Sequence, residues 1–216
     1  MEERTLPQSN RGWFRRVASL QVAVPLWAAL AVAAAIILWL SPDEQTLGEG
    51  MKWVYIHLAF IWTAMLGMLI AGVLNLIQVF SDRAGWRQWG AAATWTTLGV
   101  LVFAVISSIV VMQVNWGGIA WEEPRTQALL RASAIWLIVT VAGPWITHRR
   151  LRGALIAVVA AVALIPMRYG PLAIHPQNAL GTSPSDTIRL AAVALFAVVF
   201  AASASAVWVI RRRLSA

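Results

Sequence analysis

Hydrophobic and charged positions fall into long separate blocks along this chain. Stretches free of Asp, Glu, Lys and Arg run over 17–42, 53–81, 88–121, 132–148, 153–167 and 190–210. A helix that crosses about 30 Å of hydrocarbon needs about 20 apolar residues. The blocks therefore predict six transmembrane helices, near 21–40, 53–80, 94–114, 127–147, 153–168 and 189–210. A seventh uncharged stretch, 169–185, contains Gly170, Pro171, Pro176, Asn178, Gly181 and Pro184 and reads as a loop. The fifth span is short, and Arg152 and Arg168 at its ends can snorkel to the interfaces. Arg11, Arg15 and Arg16 precede the first block, as in a signal peptide. That block is too long for an h-region and no clear small-x-small site follows it, so it is expected to remain as the first helix. No internal repeat interrupts the pattern, and residues 1–216 read as one all-α membrane domain, a six-helix bundle.

Charge adds an orientation. Twelve basic residues (Arg4, Arg11, Arg15, Arg16, Arg83, Arg87, Arg149, Arg150, Arg152, Arg211, Arg212, Arg213) fall on one side, and five (Lys52, Arg125, Arg131, Arg168, Arg189) on the other. The positive-inside rule then predicts that both termini are cytoplasmic. Six of the nine acidic residues, Asp43, Glu44, Glu49, Glu122, Glu123 and Asp186, fall on the outer side. The net charge of +8 is thus read as membrane topology, with no nucleic-acid partner. Composition agrees: 60% of the 216 residues are hydrophobic and 12% are charged, about half the share in a soluble domain. The absence of cysteine excludes disulfides, thiolate nucleophiles, iron–sulfur clusters and zinc-thiolate sites. Of thirteen tryptophans, Trp39, Trp86, Trp89 and Trp145 fit an interfacial belt, and Gly67 and Ala71 form a small-xxx-small pair for close helix packing.

Candidate chemistry gathers at the outer end. His57 lies about one turn inside the second helix, where an ionisable group points to function. Trp53 and Phe60, four residues before and three after it, share its face. His175 lies in the last outer loop, so both histidines reach the same leaflet. Either one alone also reads as a satisfied structural histidine. His148, beside Arg149 and Arg150 on the inner side, reads as an interfacial basic residue. The third outer element, Val114-Asn-Trp116-Gly-Gly-Ile-Ala-Trp121-Glu-Glu-Pro-Arg125, offers two indole faces, two glycines and an acidic pair. It also reads as an interfacial belt with acidic caps on the fourth helix. Two imidazoles, flat aromatic walls and the cations Lys52, Arg125, Arg131 and Arg168 together describe a site for a planar, anionic, iron-containing ligand. Zinc suits the set less well, because two histidines would depend on Glu122 or Glu123. No nucleophile elbow supports hydrolysis.

The segment Lys52-Trp-Val-Tyr55-Ile-His57-Leu-Ala-Phe-Ile-Trp62 resembles the second-helix segment of the haem exporter protein C family of bacterial cytochrome c maturation. That segment carries a basic residue five before its histidine, Tyr two before it and Trp five after. Trp116–Arg125 resembles the family's tryptophan-rich external motif ending in Trp-Asp-x-Arg, with fewer tryptophans here and one more residue in Glu122-Glu123-Pro124-Arg125. His175 matches the second family histidine, and the resemblance runs over about residues 20–210. It implies haem b held transiently at the outer face of the bacterial inner membrane. His57 and His175 would be axial ligands, and Trp116 and Trp121, with Trp53 beside His57, the platform. Lys52 and Arg125 would pair propionates, while Glu122 and Glu123 would orient Arg125 or meet a positive patch on a partner. The implied partners are a periplasmic haem chaperone and other membrane components of cytochrome c maturation. The expected mechanism is ligation and presentation, without enzymatic bond-breaking. Two rival readings are a membrane b-type cytochrome for electron transfer and a transporter of haem or another small solute.

Overall fold

The computed structural model describes residues 8–81, 83–169 and 183–215. It is all-α, with six helices long and apolar enough to cross a membrane. They are α1 (Gln8–Leu40), α2 (Gly50–Phe80), α3 (Ala84–Trp116), α4 (Pro124–Ala142), α5 (Arg149–Tyr169) and α6 (Asp186–Leu214). A 3-10 turn, Gly143–Trp145, extends α4.

The six expected spans are present, and their boundaries differ where the backbone, not hydropathy, sets the end. α1 starts at Gln8 instead of near 21, and α3 at Ala84 instead of near 94. Helical hydrogen bonding continues past the apolar block through Trp86, Arg87 and Trp89, since the interface tolerates charged and indole side chains on a helix. α4 stops at Ala142, five residues before the expected end, and passes into the 3-10 turn at Gly143–Trp145, where Pro144 supplies no N–H to continue the α ladder. α5 is longer than expected, 21 residues, with Arg149–Arg152 inside its first turn. At about 1.5 Å per residue that length spans the hydrocarbon after all.

Local chemistry fixes the other ends. Gly117 takes the left-handed conformation (φ 70°) after α3, and its N–H donates to the Gln113 carbonyl. Glu123 caps α4: its carboxylate accepts from the N–H groups of Arg125 (2.6 Å) and Thr126 (3.1 Å), with Pro124 at the first helical position. Ser185 caps α6, and Arg211, Arg212 and Arg213 complement that helix's negative end.

α2 is the central helix and packs against α3, α5 and α6, whereas α1 packs chiefly on α6. The Trp27 indole donates to the Ser205 hydroxyl across that last pair, at 2.7 Å. Around the second half of α2 the core is close-packed. A Cβ on Gly72 would come within 2.8 Å of Ala160 Cβ, and one on Gly153 within 2.7 Å of the Asn75 carbonyl oxygen. Gly67 meets Thr97, and Ala71 is fully buried, so the small-xxx-small pair does sit in a helix interface. Polar side chains here are satisfied by backbone. Asn75 Nδ2 donates to the Ala71 carbonyl and to Thr94 Oγ1, Gln78 Nε2 to the Arg149 carbonyl, and Trp136 Nε1 to the Thr94 carbonyl at 3.1 Å.

Candidate functional site

The first half of α2 is built differently. Val54, His57, Leu58, Ile61 and Met65 recur at helical spacing along one side and border a cavity of about 1130 Å³. The loops at this end complete it. The α1–α2 loop contributes Pro42 to Leu47, the end of α3 Ser108, Val111, Asn115 and Trp116, and the start of α4 Arg125, Thr126 and Leu129. Met167 and Arg168 of α5 and Ser183 to Ser185 before α6 close the rim.

The α1–α2 loop is compact because its hydrogen bonds are internal. Glu44 accepts from the Thr46 hydroxyl, the Thr46 N–H and the Leu47 N–H, and its carbonyl accepts from the Gly48 N–H at 2.7 Å. Gly48 adopts φ 52°, which only glycine takes without strain. The Thr46 hydroxyl, followed by the Thr46 amide, holds the Glu44 carboxyl below the usual carboxylate range. The Tyr55 hydroxyl donates to the Pro42 carbonyl at 3.1 Å and ties this loop to α2. Asn115 ties α3 to the same point by donating to the Gly50 carbonyl at 3.3 Å. A Cβ on Gly50 would meet the end of the Asn115 side chain, so the glycine leaves room for this contact.

Three of the expected site residues therefore border one cavity: His57, Trp116 and Arg125. His57 is half-buried in the wall. The Arg125 Nε is buried and finds no hydrogen-bond partner among the described residues. Arg168, noted in the sequence only as a nearby cation, is a second guanidinium on the rim.

The other expected residues lie elsewhere. Trp53 is 40% exposed and does not border the cavity, although it sits one turn from His57; the stripe that does so passes through Val54. Phe60, expected on the same face, is partly buried against the core and stacks on the exposed Phe103 at 5.4 Å. Trp121 is 53% exposed on the turn before α4, and Glu122 is exposed beside it. Glu123 is 3% exposed, and its Oε2 is engaged by the α4 cap. Lys52 stands 4.0 Å from Asp43 outside the cavity wall. Arg131 donates to Gln127 on an exposed face of α4. His175 lies outside the described residues. His148 is at the opposite end, exposed, where its Nδ1 accepts the Leu151 N–H at the start of α5.

The sequence reading missed Asn115, Ser108 and the thioethers of Met51, Met65 and Met167, all of which border the cavity. An Asn one residue before a Trp-Gly-Gly turn was a visible signal of a helix-end contact. The methionines carry none, because Met fills core gaps as readily as it lines sites.

No protein-family model matches this chain, and comparison with curated proteins gives no match.

Proposed function

We propose that this chain handles haem in a bacterial inner membrane: it holds haem b at the outer end of the bundle and presents it to a periplasmic haem chaperone, as the resemblance to haem exporter protein C implies. The supporting observation is the joint position of His57, Trp116 and Arg125 on one cavity with apolar walls. Its volume of about 1130 Å³ lies just above the range of about 300–1,000 Å³ usual for small-molecule and cofactor sites. The donor set suits this cargo. An imidazole ligates haem iron, and the buried Arg125 Nε and the Arg168 guanidinium are matched to carboxylates such as propionates. Val54, Leu58, Ile61 and Met65 keep water from the macrocycle faces.

His175 is the proposed second ligand. Arg168 and Ser183, the lining residues that flank residues 170–182 in sequence, both border the cavity. Two ligands from separate parts of the chain would suit a transient site. Glu122, exposed, is available to a basic patch on the chaperone. Trp121 beside it is positioned on the surface and not against the cavity, so its proposed role shifts from platform to chaperone contact. Both termini are cytoplasmic in this reading, from the distribution of basic residues. An electron carrier would need a second haem near the inner end, and there His148 is engaged with the α5 backbone.

The test is maturation of c-type cytochromes in cells carrying His57→Ala. The expected result is a loss of covalently haemylated cytochrome c with b-type cytochromes unchanged and the variant still inserted. Full cytochrome c maturation would overturn the reading.

A further inference from the structure

The opposite end of the bundle carries a separate feature. Arg83, Arg87, Arg149, Arg150, Arg152, Arg211, Arg212 and Arg213 gather where α3 and α5 begin and α6 ends. All six carboxylates among the described residues lie at the other end of the bundle. Two of these arginines lie over indole rings. Arg211 lies over Trp89 at 4.3 Å, bridging α6 to α3, and Arg212 lies over Trp208 at 4.3 Å. A second link, Ser215 Oγ to Gln88 Oε1 at 2.8 Å, holds the same two helix ends together. Stacking occupies the face of a guanidinium and leaves its N–H edge directed outward in the ring plane. The Arg211 Nε is buried there without a hydrogen-bond partner among the described residues.

We propose that the α3–α6 corner is a binding site for the headgroup of an anionic phospholipid. Guanidiniums held over indole rings keep N–H donors for the oxygens of a phosphodiester, and the ring contacts lower the ordering cost of binding. The corner lies at the ends of two membrane-crossing helices, at headgroup level, where indoles concentrate. The exposed Trp95, further along α3 toward the apolar span, gives an acyl chain a surface to follow. The excess of positive charge disfavours a choline headgroup and favours one with net negative charge.

The test is native mass spectrometry of the purified full chain titrated with dioleoylphosphatidylglycerol, with dioleoylphosphatidylcholine and with inorganic phosphate. Retention of phosphatidylglycerol over the other two is expected. The double variant Arg211→Gln/Arg212→Gln should weaken that retention about fivefold per arginine removed. Arg150→Gln/Arg213→Gln removes the same charge from exposed, unstacked positions and should change it far less. Equal loss in both doubles would reduce the feature to diffuse surface charge. Displacement by inorganic phosphate would make it a soluble-anion site, and no loss in the first double would overturn the proposal outright. Should that double fail to insert, Trp208→Leu leaves every charge in place and frees Arg212 from its ring, and wild-type lipid retention there would be equally contrary.

Discussion

Along α2 a single helix meets two environments. From Met51 to Met65 one side of the helix, Val54, His57, Leu58, Ile61 and Met65, borders a cavity, while Tyr55, Ala59, Thr63 and Ala64 are buried. From Gly67 to Gln78 the buried residues are Met68, Ala71, Gly72, Asn75 and Gln78, and the neighbouring helices come close enough that an added methyl at Gly72 or Gly153 would strike Ala160 or the Asn75 backbone. Both halves belong to one continuous apolar span, so hydropathy does not separate them. Side-chain volume does. Without a hydrophobic drive between helices in lipid, small residues permit contact and large ones keep backbones apart. At the close-packed end Asn75, Gln78 and Trp136 donate to backbone carbonyls; at the open end Tyr55 and Asn115 do the same, and His57, Arg125 and Arg168 border the cavity.

The largest way to break this division is Trp136→Ala. Trp136 is fully buried and donates to the Thr94 carbonyl, so truncation should cost about 3–5 kcal/mol in denaturant unfolding of the detergent-solubilised protein. A glycine pair sharpens the contrast. Gly153→Ala drives a methyl against backbone and should cost about 1–3 kcal/mol in the same assay. Gly50→Ala meets only the end of the Asn115 side chain, which can rotate, and should cost less than Gly153→Ala while loosening the cavity rim. Glu123→Ala removes the cap of α4 and should cost about 0.5–2 kcal/mol, with Glu123→Asp retaining part of it; equal loss in both would point away from capping.

The smallest effect is a pH dependence in the α1–α2 loop. The Glu44 carboxyl is held low in the folded chain by Thr46, so its contribution is complete above the usual carboxylate range and is lost as pH falls through the lowered value. Protection of the Leu47 amide, its exchange relative to the intrinsic rate at each pH, should therefore fall on acidification in the wild type and be low at every pH in Glu44→Ala. A flat profile in the wild type would show that the loop is held by Gly48 and Tyr55 alone.

Six spans were legible because an uncharged run of membrane length is costly to expose to water and matches the hydrocarbon thickness. Their ends were less so: Pro144 halts α4 inside an apolar run, and α3 runs outward through Arg87 where hydropathy suggests a loop. At the site, His57 was legible as an ionisable group inside a span, and Arg125 and Trp116 as parts of an unusual loop. Trp53 was misassigned to the wall because spacing places a residue on a face without saying which face looks inward; the stripe runs through Val54. Glu123 fitted a ligand contact and a cap equally in sequence, and the two amide bonds to its carboxylate are those of a cap. The cavity itself, lined by helix faces, the α1–α2 loop, Ser183 to Ser185 and the methionine thioethers, had no sequence signature.

The most direct measurement is haem bound per protein, after loading purified wild type, His57→Ala and His148→Ala with haem and recording optical spectra. His57→Ala should lose the low-spin haem bands and most of the bound haem, and His148→Ala should match wild type, because only the first borders the cavity. Equal haem in all three, or equal loss in both variants, would contradict a single ligand site at the open end of α2.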